Sequence, residues 1–412
     1  MDSTAPVLAK GRTSCDPEPH GHVGSALADP IPCGEVNRTH IQALLARCIG
    51  YAHKNTFQPS PGPVNWKRLV RTACSQWLGG LILEAAERHQ WPVPELALQE
   101  ARWQALQIRQ SNLHMMQRLT PLAAAFQEQG VELLLLKGAA LNLTLYDQPH
   151  LRPMSDLDLM VRPQDAGRAA GVLEAMGCRR GPGLVRDDFF PRFHYEVEYT
   201  TSDPKPVRID LHVRPFRPMR YAQLLPQDAF WQDSRVVEFD GIGLRVPIDE
   251  DQLIHLATHS ACHGHIRLLW LYDIRRLVDS CGDHLDWDRV VHMSKRWRLV
   301  LPVRETVSNV ERLWGPLCPD HVRGALDAEP VNWRDRLCLA QAPHDACHPL
   351  RHVAVNLLCT RGTRFRLGYL SRMLLPGRDH IGQVYHRRHR GWLVCGHLRR
   401  WLHATASLAL PR

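Results

Sequence analysis

"RPMSDLDLMV", residues 152–161, sets two aspartates one residue apart in an otherwise apolar run. If the run is a strand, Asp156 and Asp158 leave the same face, because side chains at i and i+2 do so. Two carboxylates on one face repel each other, and each is costly to bury unpaired. A shared divalent cation, most simply Mg2+, resolves that conflict; a solvated strand end is the alternative. The flanking sequence has to decide between them.

Upstream, "VELLLL" (131–136) is short, continuous and apolar, as a buried strand should be. "KGAALNLTLY" (137–146) then predicts a helix led by Gly138. "DLDLMV" (156–161) is the second strand, and "RPQDAGRAAGVLEAMG" (162–177) a helix stopped by Gly177. "HYEVEYT" (194–200) and "VRIDLHV" (207–213) alternate with period two, as half-exposed strands do. The order β–α–β–α–β–β predicts a mixed sheet with helices packed on it, an α+β fold.

The surroundings are helical. Residues 1–38 are rich in Pro, Gly, Ser and His and predict a flexible leader. Residues 39–129 carry apolar side chains at helical spacing, with "QPSPGPVNW" (58–66) as a break. Residues 130–247 form the expected core, and 248–412 return to helical periodicity. At its start, Asp249 and Gln252 have capping-box spacing.

The chain has 412 residues, 44% hydrophobic and 23% charged, an ordinary globular balance for two or three domains. No apolar run approaches the roughly 18–20 residues of a membrane span. The start has no apolar signal segment, so a cytoplasmic location is expected. Twelve cysteines from Cys15 to Cys395 contain no C-x-x-C pair, which predicts reduced, mostly buried thiols. The formal charge is +9, and residues 361–403 are dense in Arg and His. That basic stretch fits an acidic or nucleic-acid partner, or simply a solvated helix face.

Three pieces carry chemistry. Lys137-Gly138 follows a buried strand and opens a helix, where a backbone N–H can approach an anion and Lys137 adds charge. The Asp156/Asp158 pair is preceded by Arg152 and Ser155; Arg152 either meets a triphosphate or pairs with Asp156, and Ser155 either donates to phosphate or caps a turn. Asp210 lies on a later strand and would add a third carboxylate; an ion pair with Arg208 or Arg214 is its alternative. Such a triad is what Mg2+ or Mn2+ and a triphosphate require. His212 shares the face of Asp210. His255, His259 and His263 fall on one helix face, near Cys262 and His265, where zinc is conceivable. No zincin spacing accompanies them, and packing on the sheet is the reading we prefer. Trp270 and Asp273 read as packing and helix-pairing residues.

Over about residues 100–300 the ordered combination of K-G, R-P-x-S-D-x-D and D-x-H resembles the uncharacterised bacterial nucleotidyltransferase family of the polymerase-beta-like superfamily. "LIHLATHSACHGHIRLLWLYDIRRLV" (253–278) resembles the helical segment after that family's core. The resemblance implies the superfamily's mixed sheet with packed helices, followed by a helical domain. It implies that Gly138 is the phosphate-side glycine, that Asp156 and Asp158 bind metal, and that Asp210 is the third acid. Two departures stand out: Ala139 replaces the usual Ser or Gly after Gly138, and the stretch from Gly138 to Asp156 is longer than usual. Lys137 would then stand in for the missing hydroxyl.

The resulting expectation is a Mg-dependent transfer of an NMP group from an NTP to a hydroxyl, phosphate or amine acceptor, releasing pyrophosphate. The acceptor is a small molecule, a peptide or protein side chain, or an RNA end. Two rivals remain: a nucleotide- or RNA-binding module of the same fold without turnover, and a metal-dependent phosphohydrolase built on the histidine helix.

Overall fold

The structure, a computed structural model, describes residues 43–49, 64–181, 190–342 and 349–374. The expected leader and the basic stretch beyond residue 374 lie outside the described residues. Helices α1 (43–49), α2 (Trp66–Ser75), α3 (Gly79–Arg88) and α4 (Glu95–Glu128) come first. Next come β1 (Leu134–Leu135), α5 (Lys137–Thr144), β2 (Leu157–Met160), α6 (Ala166–Ala175) and β3 (Arg179–Arg180). They are followed by α7 (Phe190–Phe193), β4 (Glu196–Thr200), β5 (Arg208–His212), α8 (Met219–Leu224), β6 (Arg235–Phe239) and β7 (Ile242–Val246). Helices α9 (Asp249–Cys262), α10 (Leu268–Cys281), α11 (Trp287–Arg296) and α12 (Val300–Trp314) lead to α13 (Asp320–Asp327), α14 (Trp333–Leu339), α15 (Pro349–Cys359) and α16 (Thr363–Leu374).

The strands form one sheet in the order β3-β4-β5-β2-β1-β7-β6, with β2/β5 and β1/β7 parallel and the other pairs antiparallel. This is the mixed α+β architecture expected. Period-two alternation divides the central strands. Leu157, Leu159, Ile209 and Leu211 enter one apolar cluster with Phe126 of α4 and Leu173 of α6. Asp158 and Met160, with Asp210 and His212, leave the opposite face. There Met160 joins a second cluster that contains Leu69 of α2, Leu81 of α3, Leu253 of α9 and Leu271 of α10.

Three local readings are corrected. The apolar run 131–136 yields a ladder only at Leu134–Leu135, although Leu136 N–H still donates to the Asp158 carbonyl at 3.1 Å. Asp249 is not an N-cap: it sits in the first turn of α9, bonded to Arg235 at 2.9 Å, with extended Ile248 as the cap. The β6–β7 hairpin adds two strands to the expected order. Its turn is Asp240-Gly241, with φ of 49° and 76°, the positive values that a two-residue hairpin turn needs. Through Leu134↔Arg245 this hairpin covers the free edge of β1.

Among the described residues the cysteines are free thiols, most of them buried, and no helix is long and apolar enough to cross a membrane.

Candidate active site

Strand register builds the acidic centre. Parallel pairing of β2 with β5 sets Asp158 beside Asp210, and antiparallel β4 sets Glu198 beside Asp210. Directly opposed side chains share a face, so three acids stand in a row across the sheet. Asp156 lies just before β2. The carboxylate oxygens of Asp156, Asp158 and Asp210 all approach within 4.8 Å of one another, and two of the three residues are buried.

Internal side chains compensate this charge. Lys137 begins α5 with φ of 46°, a conformation uncommon for a side-chain-bearing residue, and its Nζ lies 2.6 Å from Asp158 Oδ1. His212 Nε2 is 2.9 Å from the same oxygen and 3.4 Å from Glu196 Oε2. Burial pushes the Asp158 carboxyl up, but Lys137 and His212 outweigh it and hold the group below the usual carboxylate range. Burial likewise opposes the Lys137 ammonium, and Asp158, Glu196 and Asp156 more than restore it. On the other side, Arg208 donates to Asp156 and its Nε lies 3.6 Å from Asp210. Asp210 is less well served: burial, then repulsion from Asp156, Glu196 and Asp158, pushes its carboxyl up to about 9 against the pull of Arg208.

The remaining expected residues fall nearby with different partners. A Cβ on Gly138 would lie 2.8 Å from Arg152 Nη1 and 2.9 Å from Met154 Cγ. The glycine is therefore required by the close approach of the 152–154 loop. Arg152 donates to Asp273 Oδ2 at 3.0 Å, not to Asp156, and Tyr146 Oη donates to Asp273 Oδ1 at 2.6 Å. Ser155 donates to Asp156 Oδ2 at 3.0 Å.

A cavity of about 790 Å3 opens over the acids, lined by Lys137, Gly138, Arg152, Ser155, Asp156, Asp158 and Asp210 together. Its walls also include residues that the sequence reading did not select: Glu196 and Glu198 of β4, Gln76 and Trp77 after α2, and Gln107 of α4. The two glutamates carried a readable signal, since "YEVEY" alternates as "VRIDLHV" does. Gln76, Trp77 and Gln107 carried none, because only tertiary packing brings them there.

The histidine helix divides. His255 is buried against Phe216 and Phe230, with ring centroids 5.5 and 5.6 Å away, and burial pushes its imidazole down to about 3. His259 and His263 line the cavity beside Trp270, which lies 4.7 Å from His259. Among the described residues the group able to hold a metal is the aspartate triad, and these histidines do not form one.

The sequence profile of the uncharacterised nucleotidyltransferases matches residues 62–315. No curated protein matches the chain. Among solved structures, a crystal structure of ANT(2")-Ia in complex with adenylyl-2"-tobramycin is 16% identical, with 44% of this chain and 96% of that chain covered and a TM-score of 0.31. A solution structure of the antibiotic-resistance factor ANT(2'')-Ia is 14% identical, with 49% and 97% covered and a TM-score of 0.31. An antigenic nucleotidyltransferase-like protein from Paracoccidioides brasiliensis is 13% identical, with 52% and 93% covered and a TM-score of 0.33.

Proposed function

The chain belongs to the uncharacterised nucleotidyltransferase family, and from that premise we propose that it transfers an NMP group from a nucleoside triphosphate at the Asp156–Asp158–Asp210 centre. The observation that carries the assignment is the convergence of three carboxylates, drawn from β5 and the start of β2, on a cavity wide enough for a nucleotide. The donor set fits Mg2+ or Mn2+: hard oxygen ligands, closely spaced, with Glu196 and Glu198 lining the same cavity. When bound, such a cation neutralises the triphosphate and acidifies the acceptor.

The chain's own residues supply the rest. Gly138 and the N-terminus of α5 offer backbone N–H groups to phosphate oxygens, and Lys137 reaches the same place. Ser155 hydrogen-bonds Asp156 and orients it. Arg152, bonded to Asp273, fixes the wall of the cavity. In the transfer an acceptor oxygen or nitrogen bonds to the α-phosphorus, the bond from that phosphorus to the bridging oxygen breaks, and pyrophosphate leaves. Asp210, ionised once the cation is bound, takes the acceptor's proton as general base.

One observation favours a second reading, a nucleotide-binding module without turnover. Lys137 on Asp158 and Arg208 on Asp156 already satisfy two of the acids without a metal. Calorimetric titration of each NTP with Mg2+ separates the readings when paired with pyrophosphate release. The enzyme reading expects Mg2+-dependent binding that Asp156→Ala/Asp158→Ala removes, and pyrophosphate release when acceptors are supplied from cell extract. Binding that the double substitution leaves unchanged defeats the assignment of the site.

A further inference from the structure

Helix α4 presents a second feature, on its solvent side. Leu96, Trp103, Leu106 and Leu113 are exposed by 77%, 64%, 54% and 42%. Such exposure of large apolar side chains along one helix marks an interaction surface. With Gln99 and Gln110, both exposed, they occupy positions 96, 99, 103, 106, 110 and 113, alternating steps of three and four. That is the 3.5-residue repeat of a helix seam that packs against another helix. The intervening Ala97, Ala101, Ala105, Ile108 and Asn112 are buried against the protein's own core, so the seam faces outward.

Two properties identify the occupant. None of the six positions is charged, although the chain as a whole carries +9. Its charged neighbours on α4, Glu95, Glu100, Arg102 and Arg109, are two of each sign, so the seam selects no charged partner segment. The order Leu-Gln-Trp-Leu-Gln-Leu also reads almost the same in both directions. Laid antiparallel on itself about a two-fold axis between residues 104 and 105, it opposes Leu96 to Leu113, Gln99 to Gln110 and Trp103 to Leu106 of the second copy. Each layer is then apolar on apolar or amide on amide. A two-fold interface needs such self-complementarity, with the same patch used by both subunits.

We infer that α4 pairs with α4 of a second copy of this chain, antiparallel, through the seam Leu96–Leu113. The seam runs about 26 Å along the helix, from 17 residues at 1.5 Å each. Gln107 and Ser111, next to it on α4, line the cavity, so the second copy flanks the cavity mouth.

Sedimentation velocity of the full-length chain, from low to high micromolar concentration, tests the pairing. The expected result is a concentration-dependent dimer, weakened roughly tenfold or more in Kd by Trp103→Glu and by Leu106→Glu. Gln99→Glu, which removes no apolar contact, should weaken it by charging a layer, and circular dichroism reports whether each variant is folded. Oxidative cross-linking reads the direction: Gln99→Cys/Gln110→Cys should form interchain disulfides above the wild-type background, and Gln99→Cys alone should not. A chain monomeric at every concentration overturns the inference, including one whose seam is covered by its own termini. Assembly unchanged by the three charged variants also overturns it, and efficient cross-linking by Gln99→Cys alone refutes the antiparallel register.

Discussion

Asp210 stands in the middle of an acidic row with Glu198 on one side and Asp158 on the other, and its carboxyl is pushed up to about 9. A divalent cation bound at the proposed centre would have to displace that proton, so cation affinity should rise with pH until about 9 and then level off. Asp210→Asn should abolish most of the slope; proton release measured by calorimetry in two buffers of different ionisation enthalpy checks it. The sign for stability is opposite. A carboxyl whose folded value exceeds its unfolded 3.8 stabilises the fold fully below that pH and loses the contribution as pH rises to about 9. Without divalent cation, the difference in unfolding free energy between wild type and Asp210→Asn should therefore shrink across that window. At this scale the sequence was informative where chemistry and period coincided. D-x-D at the start of one strand and D-x-H on another declared a shared face. The partners were not legible: nothing in "RPMSD" says that Arg152 turns to an aspartate 121 residues away.

That partner belongs to the scale of elements. Arg152 and Asp273 are buried, at 6% and 0% exposure, and with Tyr146 they fasten the loop between α5 and β2 to α10. Removing one member of a buried charged pair leaves the other uncompensated, at a cost of about 3–5 kcal/mol. Asp273→Ala should lose that much in denaturant unfolding, whereas Arg152→Met/Asp273→Leu, which replaces both charges by apolar groups, should lose far less. Helices and inner strands were largely legible here, because amphipathic period and apolar runs mark them. The β6–β7 hairpin escaped although Asp240-Gly241 between alternating segments is a strong turn signal. The Asp249 cap failed because Arg235 offered a charge partner that competes with a local capping bond. Leucine repetition in "VELLLL" showed burial but could not show where a ladder ends.

Across the whole molecule, the apolar cluster on the acidic face of the sheet runs from Leu45 to Leu339, joining α1–α3 to α9–α14 through Leu134, Leu136 and Met160. We propose that the described parts of regions 39–129, 130–247 and 248–412 fold as one cooperative unit. Deleting residues 1–129 should leave a chain without a cooperative thermal transition, with near-UV circular dichroism collapsed, because the cluster loses its members from α1–α4. A sharp transition in the truncated chain would show that the sheet and C-terminal helices suffice. Sequence periodicity could not show this, since contacts between segments 150 or more residues apart leave no local trace.

The cavity draws its wall from Gln76 at one end of the chain order to Trp270 at the other. During synthesis, then, the acidic residues emerge well before the surface that encloses them. A growing chain has its D-x-D pair in solvent while α9 and α10 are still inside the ribosome, and the cavity closes only once Trp270 has cleared the exit.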